Sequence, residues 1–418
     1  MSKVSRVKGT QDFLDLELYN FIIDKVRDHL LVYYFTEIAT PILEHTALFT
    51  RSLGEHTDVV SKEMFTITTE HDDNLICLRP EATASIARAF IENSVTTTPW
   101  KVFTHGPMFR HERPQRGRYR EFHQVDMEII GSKSVAQDVH LIKMLDRLFH
   151  EQFQIQEYAL LINFLGCASD RVSYEVGLKK FLDSLGDALC DTCLVRKEKN
   201  ILRIFDCKNP TCQSLYLDAP YITESLCSQC VGEWQQMQDQ LSLLSVSFVC
   251  KPTLVRGLDY YNKTVFEFVS NALGAQSAFC AGGRYDGLVG LIGGKESHPS
   301  VGAALGVERL MIILESFRNE LQLPTLPVLH AMMPLSEKQQ SLALLLADLL
   351  QAAGFAVELF LEGDSLKSMM RKANKMGAGY CLLLGDDEQQ ENMVTVKNMV
   401  NGAENRVPQV DVVKHLKL

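Results

Sequence analysis

The stretch from residue 109 to residue 122 reads Phe109-Arg110-His111-Glu112-Arg113-Pro114-Gln115-Arg116-Gly117-Arg118-Tyr119-Arg120-Glu121-Phe122. Five arginines fall within eleven residues, and segments typical of strands flank them at Lys101 to Phe109 and Phe122 to Ile130. Because Pro114 and Gly117 lie at the bend, the pattern predicts a hairpin with a cationic loop. Arginine binds phosphate oxygens bidentately, so the loop suits phosphate binding, although a solvated charged hairpin has the same composition.

Around this hairpin, strands and helices follow one another without a regular alternation. A further strand is predicted at Thr264 to Val269, and helices are predicted at Asp15 to Tyr34, Glu81 to Asn93, Ser134 to Gln152 and Val307 to Asn319. The mixture lacks a repeated strand–helix–strand unit. It therefore favours an α+β fold built on an antiparallel sheet.

The chain is expected to form two domains, the first of which is interrupted. Its 418 residues exceed a single domain of about 150 residues. Residues 1–325 are interpreted as the first domain, with a mostly helical, cysteine-bearing insertion at about 170–250. Pro324 and Pro327 indicate a linker. Residues 328–418 alternate strands and helices and predict a small α/β domain with a largely parallel sheet.

The composition is that of a globular protein, with 46% hydrophobic and 22% charged residues. The sequence has no apolar run near the roughly 18 residues that span a membrane. Its polar first residues lack the apolar centre of a secretory signal, which predicts a cytoplasmic protein. The net charge of −10 excludes a general attraction to nucleic acid, so any polyanion must bind a local basic surface.

Cysteines are concentrated in the predicted insertion, where six of the 11 lie between Cys190 and Cys230. An odd total without an export signal argues against a disulfide framework. The pairs Cys190/Cys193 and Cys227/Cys230 have the spacing of zinc ligands, and we expect them to enclose one structural Zn²⁺. Cys207 and Cys212 are alternative ligands, and reduced thiols without a metal are the alternative interpretation.

Three further segments combine glycine with polar or aromatic residues: Val255 to Phe268, Ala281 to Gly287 and Gly302 to Leu310. Adjacent tyrosines, such as Tyr260 and Tyr261, point to opposite faces of an extended chain, so at least one could line a pocket. The second segment matches neither the Rossmann nor the P-loop glycine pattern. Taken alone, the second and third segments are better explained by a role in packing than by a role in catalysis or binding.

Together these motifs resemble the bacterial-type histidyl-tRNA synthetases, which are class II aminoacyl-tRNA synthetases. The resemblance begins at Arg6 to Asp12 and covers essentially the whole chain. Thr40-Pro41 resembles class motif 1, a dimer-interface element, Phe109 to Ile130 resembles motif 2, and Gly302 to Leu314 resembles motif 3. Arg256 to Tyr261 and Ala281 to Gly287 resemble the two histidine-specific signatures. The class I signatures H-I-G-H and K-M-S-K-S are absent.

The resemblance implies an antiparallel-sheet catalytic domain with a helical insertion and a C-terminal α/β anticodon-binding domain. It implies that ATP, with Mg²⁺, activates L-histidine to histidyl-adenylate, and that histidine is then transferred to the 3′ end of tRNA(His). A homodimer is also implied. In the C-terminal domain, the helix face with Lys367, Arg371, Lys372 and Lys375 is a candidate phosphate contact or simply a solvated surface.

The resemblance also implies roles for individual residues. Arg110 and Arg256 would contact the α-phosphate from opposite sides as the catalytic residues. Arg309 would bind the γ-phosphate, and Arg118 with Glu112 would hold the bent nucleotide.

The histidine site is implied in the same way. A carboxylate and a phenol can meet both nitrogens of an imidazole, which makes Glu128 and Tyr261 the implied specificity residues. The other residues implied in histidine binding are Glu81, Thr83, Gln124, Tyr260 and Tyr285. Ala82 replaces an expected glycine at little cost unless its φ is positive.

A regulatory subunit of ATP phosphoribosyltransferase is the main alternative, because such proteins resemble these synthetases. They typically lack the histidine-specific arginine and the anticodon domain, whereas Arg256 and residues 328–418 are present here. Class II synthetases for glycine, proline or threonine are a third possibility.

Overall fold

The computed structural model describes residues 4–55, 57–68 and 75–417. The chain divides into two compact units between Leu323 and Pro324. Among the described residues, no helix combines the length and apolar character needed to cross a membrane.

The first unit contains eleven strands and ten α-helices in its described residues. The strands are β1 (Thr36–Glu37), β2 (Leu43–His45), β3 (Thr66–Ile67), β4 (Ile76–Leu78), β5 (Trp100–Phe109), β6 (Glu121–Ile130), β7 (Ala159–Phe164), β8 (Val249–Cys250), β9 (Asn262–Val269), β10 (Ala278–Arg284) and β11 (Ser300–Gly306). The α-helices are α1 (Glu17–Val32), α2 (Thr46–Leu53), α3 (Thr83–Glu92), α4 (Val135–Arg147), α5 (Ala168–Ser184), α6 (Asp191–Lys199), α7 (Pro210–Leu215), α8 (Ser228–Leu243), α9 (Leu288–Leu291) and α10 (Val307–Glu315).

Shorter helical turns connect these elements. Two are π-helical, at Val59–Glu63 and Leu148–Gln152, and the 3-10 turns are Gly186–Ala188, Ile201–Asp206, Tyr216–Asp218, Ile222–Glu224, Asn271–Gln276 and Arg318–Glu320.

The main sheet has eight strands in the order β1-β5-β6-β11-β10-β9-β7-β8. Its six central strands pair antiparallel, whereas the edge pairs β1·β5 and β7·β8 are parallel. The predicted hairpin is confirmed as β5 and β6, which pair from Trp100 opposite Ile130 to Phe109 opposite Glu121. The cationic loop therefore lies at one end of two adjacent ten-residue strands.

Helix α1 shows how the apolar pattern determines packing. Leu18, Ile22, Val26 and Leu30 are buried in the core beside the main sheet, as their spacing predicted. The helix is slightly shorter than expected: the Asp15 side chain accepts a hydrogen bond from the Glu17 backbone N–H (2.8 Å). It ends at Val32, since Tyr34 takes a positive φ of 63° that a helix does not continue.

The insertion between β7 and β9 is mostly helical, as predicted, with α5 to α8 and several 3-10 turns. The two-residue strand β8 is the only strand in this stretch of described residues.

The second unit is a five-stranded sheet with helices. Its elements are β12 (Leu329–Pro334), α11 (Gln340–Ala352), β13 (Ala356–Leu359), α12 (Leu366–Lys375), β14 (Tyr380–Leu384), α13 (Asp386–Gln390), β15 (Met393–Asn398), β16 (Glu404–Pro408) and α14 (Val412–Leu416), with 3-10 turns at Glu337–Gln339 and Gln409–Asp411. The order β13-β12-β14-β15-β16 is parallel in its first two pairings and antiparallel in its last two. The sheet is therefore mixed rather than largely parallel, because β14, β15 and β16 follow one another through connections too short for a crossover.

Candidate active site

The floor of the candidate site is the strand β6. Gln124, Asp126 and Glu128 alternate along it and therefore face the same side of the sheet. Glu128 pairs with Gly302 on the neighbouring strand β11. A Cβ atom at Gly302 would overlap the Glu128 carboxylate, so only glycine leaves room for that side chain. In the segment Gly302 to Leu310, the small residue Gly302 therefore leaves space for the Glu128 carboxylate.

The Glu128 side chain is buried and accepts two hydrogen bonds. Thr83 donates its hydroxyl to Glu128 Oε1 (2.7 Å), and the Tyr285 hydroxyl donates to Oε2. Burial raises the pKa of Glu128 well above its ordinary value, and the two hydroxyl donors counter this only in part. A buried carboxylate in this position is suited to accept an N–H from a ligand.

Glu81 places Thr83 by capping helix α3. Its carboxylate accepts hydrogen bonds from the backbone N–H groups of Thr83 (2.7 Å) and Ala84 (2.9 Å), which are unpaired donors at the start of the helix. Ala82 has a φ of −104°, so the alanine found there instead of glycine causes no backbone strain.

Three buried tyrosines form an aromatic wall. The Tyr260 ring centroid is 4.6 Å from that of Tyr261 and 5.6 Å from that of Tyr285. The condition for Tyr260 and Tyr261 to face opposite sides, an extended chain, is not met, because the chain turns at Tyr260 and enters β9 only at Asn262. A Cβ at Gly283 would lie 2.8 Å from the Tyr261 ring, so this glycine permits the ring to approach β10.

Two arginines of the hairpin are held by neighbouring groups. Arg110 is held by a hydrogen bond from its Nε to the Pro80 carbonyl (2.9 Å) and stacks over the Phe122 ring at 5.3 Å. Arg118 forms an ion pair with Glu112 and lies 3.9 Å from a Glu63 carboxylate oxygen.

Arg309, at the start of α10, reaches the same region. It donates to the carbonyls of Gly117 (2.9 Å) and Ala278 (2.6 Å). Burial and the positive charges of Arg110 and Arg118, with a smaller effect of Arg256, lower the pKa of Arg309 to about 10. The Arg309 guanidinium is thus close enough to those of Arg110, Arg118 and Arg256 to be repelled by them.

Arg256 approaches from the loop before β9. It forms an ion pair with Glu267 and lies over the Tyr261 ring at 5.9 Å. Within the described ranges its buried Nε atom has no hydrogen-bond partner. Four arginines from three separate segments therefore converge, and an anion with several charges would relieve their repulsion and satisfy the free donor.

Asp126 is a residue of this site that the sequence analysis missed. It is fully buried between Gln124 and Glu128, and neither of its carboxylate oxygens has a hydrogen-bond partner in the part of the chain that is described. Burial and the nearby Glu81 raise the pKa of Asp126 to about 8. The two-residue period of β6 was the available signal. Gln124 also has a buried side-chain oxygen without a partner among these residues.

The sequence analysis also missed Arg284, which lies in the glycine-rich segment directly before Tyr285. Its side chain is fully buried, forms an ion pair with Asp138, and donates to the backbone carbonyls of Ser132 (2.7 Å) and Ser134 (3.0 Å). Thr264 donates to the same Asp138 carboxylate (2.7 Å). This network fixes the end of β10 immediately before Tyr285.

The predicted set Cys190, Cys193, Cys227 and Cys230 is wrong, whereas the alternative ligands Cys207 and Cys212 do lie beside Cys190 and Cys193. Cys190 and Cys193 cluster with Cys207 and Cys212, whereas Cys227 and Cys230 cluster with Cys167 and Asp170. The two C-x-x-C pairs therefore cannot hold one ion together. Spacing along the chain could not reveal this, because the helices α5 to α8 decide which cysteines meet.

Two family models match the chain. The model for the tRNA synthetase class II core domain (G, H, P, S and T) matches residues 65–317, and the anticodon binding domain model matches residues 330–417.

Curated relatives match over nearly their whole length. The histidine–tRNA ligase of Clostridioides difficile is 40% identical over 414 residues, which cover 98% of both chains. That of Trichlorobacter lovleyi is 43% identical over 403 residues, which cover 96% of this chain and 94% of the relative.

Solved structures agree with this likeness. The apo histidyl-tRNA synthetase of S. aureus superposes with a TM-score of 0.81 at 29% identity and covers 100% of both chains. An ATP phosphoribosyltransferase regulatory subunit/histidyl-tRNA synthetase from Bacillus halodurans superposes with a TM-score of 0.61 at 20% identity, over 88% of this chain and 96% of that one, and shares the fold alone. The chain belongs to the histidine–tRNA ligase family of class II tRNA synthetases.

Proposed function

We propose that the protein activates L-histidine with ATP and transfers it to the 3′ end of tRNA(His). The observation that carries this proposal is the convergence of Arg110, Arg118, Arg256 and Arg309 beside the buried Glu128. The arginines are suited to a polyphosphate, and the carboxylate with its tyrosine wall is suited to a small ring with N–H groups.

In the first step, a carboxylate oxygen of histidine attacks the α-phosphorus of ATP. The bond from this phosphorus to the oxygen that bridges to the β-phosphate breaks, and pyrophosphate leaves. Charge develops on the α-phosphate oxygens, where fixed positive donors stabilise the transition state. Arg110 and Arg256 supply these donors, and their anchoring by Pro80 and Glu267 keeps them oriented without a substrate.

The remaining arginines hold the outer phosphates. Arg309 binds the γ-phosphate, and Arg118 with Glu112 supports the bent nucleotide. Mg²⁺ fits this site, because Glu112 and Glu267 provide hard oxygen donors among the arginines, and Mg²⁺ is usually bound by one or two carboxylates plus substrate phosphates. When bound, Mg²⁺ neutralises charge on the phosphates.

Histidine is selected by hydrogen bonds to both ring nitrogens. Glu128 accepts from one N–H, and Tyr261 meets the other nitrogen, with Tyr260 and Tyr285 closing the pocket. A ligand without these nitrogens leaves buried polar groups unpaired, which is the strongest form of discrimination. The α-amino group of histidine is bound by Glu81 and Thr83, and its carboxylate lies near Gln124.

The second unit serves tRNA recognition. We propose that residues 1–325 form the catalytic domain and residues 328–418 the anticodon-binding domain, in line with the family match at 330–417. The enzyme acts in the cytoplasm as a homodimer. Light scattering of the purified protein tests whether it is a dimer. A measured mass of 47.1 kDa, that of one chain, would contradict the proposed dimer.

The regulatory-subunit alternative is less supported. Arg256 is ion-paired at the arginine cluster, and an anticodon-binding domain is present. A protein that only senses a ligand requires neither feature.

The test is ATP–pyrophosphate exchange with purified protein. Exchange should depend on histidine and should not occur with glycine, proline or threonine. Exchange driven by another amino acid, or none with any amino acid, would contradict the proposal.

A further inference from the structure

Four thiols of the insertion converge outside the active site. Their Sγ atoms, from Cys190, Cys193, Cys207 and Cys212, all lie within 4.8 Å of one another. All four are free cysteines, and three of them are buried. The Sγ atoms of Cys190 and Cys207 are 3.8 Å apart, which is too far for a disulfide bond of about 2.05 Å.

The spacing of these sulfurs suits one tetrahedral ion. Four sulfurs at about 2.3 Å from a zinc ion lie roughly 3.8 Å from each other. The sulfurs therefore need little movement to reach this arrangement, since they already occupy one small volume.

The local backbone presents the thiols in pairs. Cys190 precedes α6 and Cys193 lies in its first turn, with the Cys193 N–H donating to the Cys190 carbonyl (2.8 Å). Cys207 follows the 3-10 turn Ile201–Asp206, and Cys212 lies within α7. Each pair thus comes from a short stretch of chain, with two or four residues between its cysteines, which is the spacing of compact zinc sites.

Hydrogen-bond donors lie next to the sulfurs. The backbone N–H of Cys190 points to Cys212 Sγ, and that of Asn209 points to Cys207 Sγ, both at 3.4 Å. The buried Tyr216 hydroxyl, for which the described residues offer no partner of good geometry, lies near Cys193 and Cys212. Such outer donors orient and stabilise metal-bound sulfur.

We propose that Cys190, Cys193, Cys207 and Cys212 bind one structural Zn²⁺ through four sulfur ligands. Each thiol loses its proton on binding and donates a lone pair of the thiolate to the ion, so no redox partner is required. A closed four-sulfur shell leaves no open position for a substrate, and the ion is therefore structural.

The ion would also position the Arg256 loop, an extension that rests on the proposed function. Between the two cysteine pairs, Asn200 donates to the Asp259 carboxylate (2.6 Å), and Arg203 donates to the Gly257 carbonyl (3.1 Å). Zinc would fix both ends of this segment and thereby the loop that carries Arg256.

The binding test compares the zinc content of the full-length protein with that of two double variants. Wild type should retain about one equivalent more than Cys207→Ser/Cys212→Ser, whereas the matched control Cys227→Ser/Cys230→Ser should retain the zinc of this site. Equal zinc content in wild type and Cys207→Ser/Cys212→Ser would overturn the proposal. The proposal would also be overturned if Cys227→Ser/Cys230→Ser lost all its zinc while Cys207→Ser/Cys212→Ser kept it.

A second measurement requires no variant. Replacing the metal of wild type by Co²⁺ should give thiolate-to-cobalt charge-transfer bands and tetrahedral d–d bands of four-sulfur coordination. An octahedral cobalt spectrum, or no uptake of cobalt or zinc, would overturn the site.

Histidine-dependent exchange then tests the coupling to Arg256. Chelation should raise KM for histidine or lower kcat, and zinc should restore them. If exchange is the same with and without bound zinc, the coupling is wrong and the metal site stands. If exchange is absent even from the zinc-loaded protein, the proposed function fails instead.

Discussion

The Glu128 carboxylate occupies the space where a side chain at Gly302 would lie, across the β6–β11 pairing. Replacing Gly302 with alanine must displace either the strand or Glu128. Overpacking costs about 1–3 kcal/mol, so we expect Gly302→Ala to lower kcat/KM for histidine in pyrophosphate exchange by roughly tenfold or more. Gly290→Ala is the matched control, since a Cβ there meets no described atom within 4 Å. Equal activity of the two variants would contradict this account.

Arg256→Ala should reduce histidyl-adenylate formation by roughly a hundredfold or more, because in the proposed mechanism Arg256 is a charged donor to the α-phosphate. Single-turnover adenylate formation measures the effect. Arg116→Ala provides the control: it removes an exposed arginine of the hairpin loop and should leave this step almost unchanged. An unaltered rate in Arg256→Ala would exclude Arg256 from the mechanism.

Asp126 should make the fold less stable at alkaline pH. Its pKa is raised from 3.8 to about 8, so the folded state retains a proton that the unfolded state releases. The stability contributed by protonated Asp126 is complete below pH 3.8 and is lost as the pH rises to about 8, by at most about 1.4 kcal/mol per pH unit.

The variant Asp126→Asn cannot release this proton and should show a flatter dependence of the free energy of unfolding on pH. Denaturant unfolding of both proteins between about pH 5 and 9 measures the difference. Parallel profiles for variant and wild type would show that Asp126 does not titrate in this way.

Arg284→Ala should destabilise the first unit by about 3–5 kcal/mol, because it leaves the buried Asp138 carboxylate without its partner. Differential scanning calorimetry should detect a lower Tm for this unit. In the variant Arg284→Met/Asp138→Asn, where neither position carries a charge, much of the loss should be recovered. A double variant as unstable as the sum of both single variants would argue against the ion pair.

The hairpin shows how far local pattern determines structure. The composition of its two strands and the bend at Pro114 and Gly117 were sufficient to predict it. The observed strands β5 and β6 match that prediction closely. By contrast, β10 and β11 are rich in glycine and alanine, which have low strand propensity. Those strands are stabilised by their neighbours, and no local pattern predicts them.

In the candidate site, too, some residues could be predicted from the sequence and others could not. The family resemblance assigns Glu128, Tyr285 and the four arginines to the site, and the fold brings these residues close together. Arg284 could not be recognised, because its importance comes from burial against other segments, whereas for Asp126 only the two-residue period of β6 gave a signal. The predicted grouping of Cys190/Cys193 with Cys227/Cys230 failed for a related reason. The path of the helices places these two C-x-x-C pairs in different clusters.

The contacts of Asn200 and Arg203 with the loop at Gly257 and Asp259 have a consequence for chimeric enzymes. The insertion is not an independent module that can be exchanged between related proteins at its two chain crossings. A graft that imports residues 170–250 without the matching 257–259 loop would break these bonds, so a domain swap made with this chain should carry both segments together.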